Sequence, residues 1–261
     1  MTTPASYEPG EFCWVDLSSK DIAEAEAFYA AVFGWKTDRQ DTQGGPPYSM
    51  CELAGLSVAG LGELSSEMQA AGVPPMWNVY VKVDDVEHTA QRATELGGTV
   101  IVPPMTVMDA GRLAFVADPE GATLGLWQAD QHPGAGLRGD HGAMCWHELA
   151  TRDLDAASKF YGALFGWSFR PHDQSPSPYL VIERDGKDTG GLLGMTAEWG
   201  EIPAHWGVYF QVHDAQASCD ALRTAGGTVR HGPFGTPVGP IAVVADAHGA
   251  GFYLMQPDRS A

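Results

Sequence analysis

Two acidic residues stand in apolar, aromatic surroundings: Asp16 in FCWVDLS and Glu148 in MCWHELA. Side chains alternate across a β-strand, so Trp14 shares a face with Asp16, and Trp146 with Glu148. The same parity brings Asn78, Tyr80, Gly125 and Trp127 to the first of these faces. It brings His205, Tyr209, Tyr253 and Met255 to the second. A carboxyl group partly buried among Trp and Tyr has a raised pKa, because burial disfavours its charged form, and such a group suits general acid or base work. Asp16, Glu148 and His205 are therefore the candidate catalytic residues, with His205 as an acid-base partner for Glu148. Trp14, Asn78, Tyr80, Trp127, Trp146, Tyr209, Tyr253 and Met255 are the candidate ligand-binding residues. Aromatic walls with few polar groups suit a flat organic molecule. Structural readings stand beside these functional ones. A backbone amide, or an arginine such as Arg112 or Arg152, would satisfy each carboxylate, and the aromatics would serve equally to pack sheet against sheet. His147 has the opposite parity, toward the helices, and reads as structural.

The elements that must position these groups come from a repeat. Residues 11–35 (EFCWVDLSSKDIAEAEAFYAAVFGW) and 143–167 (AMCWHELATRDLDAASKFYGALFGW) share 11 identities at a shift of 132. Two further pairs follow in order: 77–100 against 206–229, and ADPEGATLGLWQ (117–128) against ADAHGAGFYLMQ (245–256). The chain is a tandem duplication. Its expected domains are 1–128 and 143–261, with the Gly-rich polar stretch 129–142 as linker. Each copy also contains a weaker half-repeat. A β-branched and aromatic strand is followed by an Asp at a helix N-cap (Asp21, Asp85, Asp153, Asp214) and an amphipathic helix. Gly34, Gly166, Gly97-Gly98 and Gly226-Gly227 are the helix stops. The unit is βαβββ, four times over, an α+β fold in which each copy makes a cup-shaped mixed sheet.

Composition narrows the function classes. Asp+Glu 33 against Lys+Arg 15 leaves a formal net charge of −18. Such a surface repels phosphate backbones and anionic lipid, so neither nucleic acid nor a membrane is an expected partner. The N-terminus shows neither the basic start nor the apolar run of a signal peptide. Four cysteines without CxxC spacing read as free thiols, and a reducing cytoplasmic location is expected. The DAGR (109–112) and VGP (238–240) stretches read as turns leading into strands, at the rim of a cup. No phosphate-binding loop, nucleophile elbow or HExxH motif is present.

The strand, then D-L-x-x-A-x-x-F-Y-x-x-x-F-G-W, and later V-D-D, G-G-x-V and D-P-x-G, together resemble the vicinal-oxygen-chelate superfamily. That group contains glyoxalase I, extradiol dioxygenases and bleomycin-resistance proteins, and the chain is most similar to its two-domain branch of glyoxalase-like or hydroxylase proteins. The resemblance implies the cup fold, and in metal-dependent members a His, His, Glu ligand set. Those positions map onto Trp14 and Trp146, Asn78 and Gly207, and Gly125 and Tyr253. None carries a usual ligand, so no metal and no cofactor are expected. The resemblance also implies that single-domain relatives pair to complete their cups, and a duplicated chain does so internally, as a monomer. Two functions stay open: a metal-independent binder of a small aromatic or polyketide-like metabolite, or an oxygenase, isomerase or lyase working through Asp16 or Glu148.

Overall fold

The computed structural model describes residues 6–173, 175 and 177–258; the outermost residues of the two expected domains, 1–5 and 259–261, fall outside them. In the first copy the order is β1 (Phe12–Ser19), α1 (Ile22–Phe33), β2 (Lys36–Arg39), β3 (Tyr48–Leu53), β4 (Leu56–Glu63), α2 (Ser66–Ala70), β5 (Met76–Lys82), α3 (Val86–Glu95), β6 (Thr99–Val107), β7 (Gly111–Ala117) and β8 (Thr123–Ala129). In the second it is β9 (Met144–Thr151), α4 (Leu154–Phe165), β10 (Ser168–Pro171), β11 (Tyr179–Arg184), β12 (Lys187–Gly194), β13 (His205–Gln211), α5 (Ala215–Thr224), β14 (Thr228–Phe234), β15 (Ile241–Ala245) and β16 (Gly251–Met255). The βαβββ unit occurs four times, with α2 as a short addition before β5.

The expected caps are in place. Asp21 accepts from the amides of Ala23 and Glu24, and Asp85, Asp153 and Asp214 each accept from one amide in the first helical turn. These bonds satisfy donors that a helix start leaves free. Gly34 and Gly166 end α1 and α4 in the left-handed conformation, at φ +74° and +72°, which a side chain would oppose.

Each copy forms its own open eight-stranded sheet, in the order β2-β3-β4-β1-β5-β8-β7-β6 and its equivalent in the second copy. β1 and β5 pair antiparallel at the centre, flanked by β4 and β8, each parallel to its neighbour. The two half-modules are thus joined edge to edge, and the central strands bring Asp16, Asn78 and Gly125 to one face. A register shift at Cys13, matched at Cys145, bulges β1 and β9. Simple alternation would place Phe12 beside Trp14. The bulge turns it away, and its ring stacks on His147 of the other copy at 4.4 Å.

The helix-side faces of the two sheets meet in a shared aromatic core. Tyr29, Phe33, Trp35 and Trp77 pack against Phe210 and Phe252 across the copies. On the other flank, Phe12 packs against Trp167 and Trp206. The linker is an ordered strap. Ala135 N–H donates to the carbonyl of Cys13 at 2.8 Å and Gly136 N–H to that of Ser57 at 2.8 Å, while the Tyr7 hydroxyl donates to the carbonyl of Ala135 at 2.8 Å. Ala135 and Leu137 are buried. Among the described residues no helix is long and apolar enough to cross a membrane.

Candidate functional site

At the centre of the first cup, Asp16 opposes Asn78 across the β1–β5 ladder. Asn78 Nδ2 donates to Asp16 Oδ1 at 2.8 Å and to Ser18 Oγ at 3.0 Å. Tyr80 donates its hydroxyl to Asp16 Oδ2 at 2.9 Å, and Tyr48 reaches the same oxygen at 3.4 Å. Trp14 Nε1 in turn donates to the Tyr48 hydroxyl at 3.2 Å. Burial pushes the Asp16 carboxyl up to about 6, while the hydrogen bonds from Asn78, Tyr80 and Tyr48 pull the other way. The phenols of Tyr48 and Tyr80 are pushed well above their ordinary value, by burial first and by the Asp16 charge second. They are neutral donors across the physiological range.

The second cup repeats the plan with different parts. Tyr209 donates to Glu148 Oε1 at 2.8 Å. The Tyr179 hydroxyl accepts from Trp146 Nε1 at 3.0 Å and is near enough to the Glu148 carboxylate to favour its charged form. Tyr253 stacks on Tyr209, with ring centres 4.3 Å apart and planes 9° from parallel. Burial raises the Glu148 carboxyl above its ordinary range, opposed by the Tyr209 bond and the nearby Tyr179 hydroxyl. Gly207 stands opposite Glu148, where the first cup has Asn78. A methyl group on Gly207 would fall 2.6 Å from the Tyr253 ring, so Tyr253 takes the space that the amide fills in the first cup. Met255 is partly exposed at the cup's end.

Two expectations about these carboxylates change. His205 does lie on the cup face, opposite Ala150, but its Nδ1 is 2.9 Å from the carbonyl of Pro203, and the pair with Glu148 is not made. The arginines do not satisfy the carboxylates either. Arg112 pairs with Glu87, and Arg152 donates to the carbonyls of Gly200 and Ile202. Tyrosines do that work: Tyr80 and Tyr209 stand on the strands paired with β1 and β9, while Tyr48 and Tyr179 reach in from β3 and β11 across Gly60 and Gly191. His147 keeps the expected helix-side orientation. It is buried, and its Nε2 has no hydrogen-bond partner among the described residues.

Sequence reasoning missed Tyr48, Tyr179 and His132. The first two carried a signal, since each follows a proline (Pro47-Tyr48, Pro178-Tyr179) in matching places of the two copies. Both rings lie over a glycine of the neighbouring strand: a methyl group on Gly60 would fall 1.9 Å from the Tyr48 hydroxyl, and one on Gly191 would fall 1.9 Å from that of Tyr179. His132 lies in the linker strap, its ring edge-on to Trp14 at 4.4 Å and 5.8 Å from Trp127. Trp127 Nε1 donates to the His132 carbonyl at 2.9 Å.

The residues present do not fit the superfamily's metal. Its ligand positions carry Trp14, Asn78 and Gly125 in one cup and Trp146, Gly207 and Tyr253 in the other. Among the described residues no three His, Cys, Asp or Glu side chains converge as a metal-holding group. Asn78 and the tyrosines all donate toward the carboxylates, which is the wrong polarity for sharing a cation. What the arrangement can do is hold a carboxyl group whose proton is exchangeable near neutral pH, at the centre of an aromatic wall.

Residues 12–126 match the profile of the glyoxalase/bleomycin resistance protein/dioxygenase superfamily, and residues 146–255 that of the glyoxalase-like domain. The chain is 37% identical over 260 residues to CFP32 of Mycobacterium tuberculosis (strain CDC 1551 / Oshkosh), provisionally named a glyoxylase, with 98% of each chain covered. It is 33% identical over 264 residues to the anthracycline biosynthesis protein DnrV of Streptomyces peucetius, covering 96% of this chain and 94% of that one. Among solved structures it is similar to the Mn(II)-bound glyoxalase from Novosphingobium aromaticivorans, with a TM-score of 0.64 at 14% identity, covering 95% of this chain and 82% of that one. An extradiol ring-cleaving dioxygenase from B. fuscum superposes with a TM-score of 0.66 at 17% identity, covering 99% of this chain and 75% of that one. At these identities the structural likenesses speak to the fold alone.

Proposed function

We propose, from the premise that the chain belongs to the glyoxalase, bleomycin-resistance protein and dioxygenase superfamily, that it binds a small planar aromatic or polyketide-like metabolite without that superfamily's metal. The observation that carries this reading is the carboxyl–tyrosine–tryptophan cluster at the centre of each cup, where His and Glu ligands would otherwise stand. Stacking of the ligand's ring against the Trp and Tyr side chains supplies the affinity. The carboxyl and phenol groups fix the ring's orientation through its oxygen substituents. The likeness to a protein named for anthracycline biosynthesis supports this ligand class. The net charge of −18 disfavours anionic ligands and nucleic acid. The four free cysteines are consistent with a reducing cytoplasm, and the shared aromatic core with a monomer.

One observation favours a second reading, as an enzyme. A carboxyl held at about 6 is poised to give or take a proton at neutral pH. Asp16 or Glu148 would then act on the bound ring's oxygen substituents as general acid or base.

The test is calorimetric titration of a dihydroxyanthraquinone into chelator-treated protein, with metal content measured in parallel. The expected result is saturable binding unchanged by chelation. Binding that needs an equivalent of metal would overturn the reading. Turnover of an identified substrate, abolished by Glu148→Gln with affinity kept, would establish the enzyme instead.

A further inference from the structure

The two cups share a plan but differ in what covers them. In the first, the linker leaves β8 at Ala129 and lays the His132 ring against Trp14 and Trp127. The contact is fixed at both ends, by Trp127 Nε1 on the His132 carbonyl and by the downstream bonds of Ala135 and Gly136 to Cys13 and Ser57. Trp14 and Trp127 are only 4% and 5% exposed as a result. The imidazole is uncharged near neutral pH, since burial holds its pKa down to about 4. Its Nε2 makes no hydrogen bond among the described residues. A side chain kept there without a polar partner fills space against the two indoles.

The second cup has no such strap among the described residues. Beyond Met255 the chain turns along the β14–β15 connection, where Gln256 and Asp258 amides donate to the carbonyls of Pro240 and Val238. Trp146, Tyr253 and Met255 are left partly exposed. The carboxylates differ in their donors, Asp16 being partly exposed and Glu148 buried. Asp16 receives donors from Asn78, Tyr80 and Tyr48, a saturated arrangement suited to holding strands together. Among the described residues Glu148 receives Tyr209, with Tyr179 close by and Gly207 in place of the amide.

We infer that His132 is a built-in occupant of the first cup, and that the second cup, with Glu148 and Tyr179, is the one that takes a ligand: an uncharged planar ring carrying a hydroxyl or ketone oxygen. The ligand half of this inference rests on the proposed binding function. The plug half does not.

The experiment pairs two readouts on the full chain. Calorimetry with dihydroxyanthraquinone counts sites, and fluorine NMR of 5-fluorotryptophan-labelled protein reports solvent contact at Trp14, assigned with a Trp14→Phe variant. The wild type is expected to bind one equivalent, which Glu148→Gln combined with Tyr179→Phe removes. Its Trp14 signal is expected to show no shift between H2O and D2O. His132→Ala is expected to bind a second equivalent and to give Trp14 a solvent isotope shift. An isotope shift at Trp14 already in the wild type would overturn the plug, whether or not the variant folds. Two equivalents in the wild type, or one that survives the Glu148/Tyr179 double variant, would overturn the assignment of the second cup. A probe that binds neither protein, with Trp14 behaving as expected, would sink the binding function and the ligand half while supporting the plug.

Discussion

The hydroxyl of Tyr161, on the first helix of the second copy, donates to Asp118 in the closing turn of the first copy at 3.1 Å. Trp206 Nε1 donates to the same hydroxyl at 2.9 Å, completing a buried chain from indole to phenol to carboxylate. The quasi-symmetric chain runs the other way, from Trp77 through Tyr29 to Asp246, at 3.0 and 3.3 Å. Trp35 and Trp167 add a matching pair, donating at 2.8 Å to the carbonyls of Gly142 and Gly10 just ahead of the other copy's first strand. The residues most faithfully repeated between the copies are thus the ones that fasten each copy to its partner.

Tyr161→Phe is therefore expected to destabilise the whole chain, although the residue lies far from either cup's centre. It leaves the Trp206 donor and a buried Asp118 oxygen unpaired, at a cost of about 1–3 kcal/mol. Chemical denaturation with calorimetry checks this. A variant as stable as the wild type would show that the chain of bonds is not holding the copies together.

Opposite pH slopes are expected from Asp16 and His147. The folded Asp16 carboxyl titrates at about 6, against about 4 in an unfolded chain. The folded state keeps a proton that the unfolded state releases, so this contribution is full below about pH 4 and lost as pH rises through about 6. Burial among apolar groups and the nearby Arg138 charge hold folded His147 down to about 3, against about 6.5 unfolded. Its contribution is full above about pH 6.5 and is lost as pH falls toward 3.

Between about pH 4 and 6 the two slopes offset one another. Asp16→Asn should steepen the loss of stability on acidification in that window. His147→Val, which installs the residue found at Val15 in the first copy, should flatten it. The valine should also raise stability near neutral pH by about 1–3 kcal/mol, because an unpartnered buried nitrogen is removed. Urea titrations at unit steps of pH test both. Parallel pH profiles for all three proteins would contradict the assignment.

Gly60→Ala and Gly191→Ala probe how tightly the tyrosines are seated. The added methyl group would meet the Tyr48 or Tyr179 hydroxyl at 1.9 Å, so the ring must leave its carboxylate and its tryptophan. Overpacking of this kind costs about 1–3 kcal/mol. A lowered Tm with altered near-ultraviolet circular dichroism is expected from each, and an unchanged spectrum would mean that the cup is looser than its packing implies.

The duplicated architecture was legible in the chain itself because it rests on local rules. The Asp N-caps, the glycine stops and the strand alternation depend only on neighbours in sequence, and they occur in both copies. The same alternation put Asp16 and Glu148 among Trp14, Tyr80, Trp146 and Tyr209. The partners of those carboxylates were not legible. Tyr48 and Tyr179 come from strands some thirty residues away, and the repeated Pro-Tyr pair signals shared importance without saying what the hydroxyl meets. His205 went astray because parity fixes the face of a strand and not the rotamer, and a nearby carbonyl claimed its ring. Phe12 crossed to the domain interface because one extra residue in a bulge inverts the alternation before it. His132 sits in a stretch whose composition reads as linker, and only the strap's path over the sheet brings it to Trp14. Period and capping are properties of the backbone and travel with the sequence. Which side chain fills a given space depends on chain segments meeting from far apart, and that was decided by the tertiary structure.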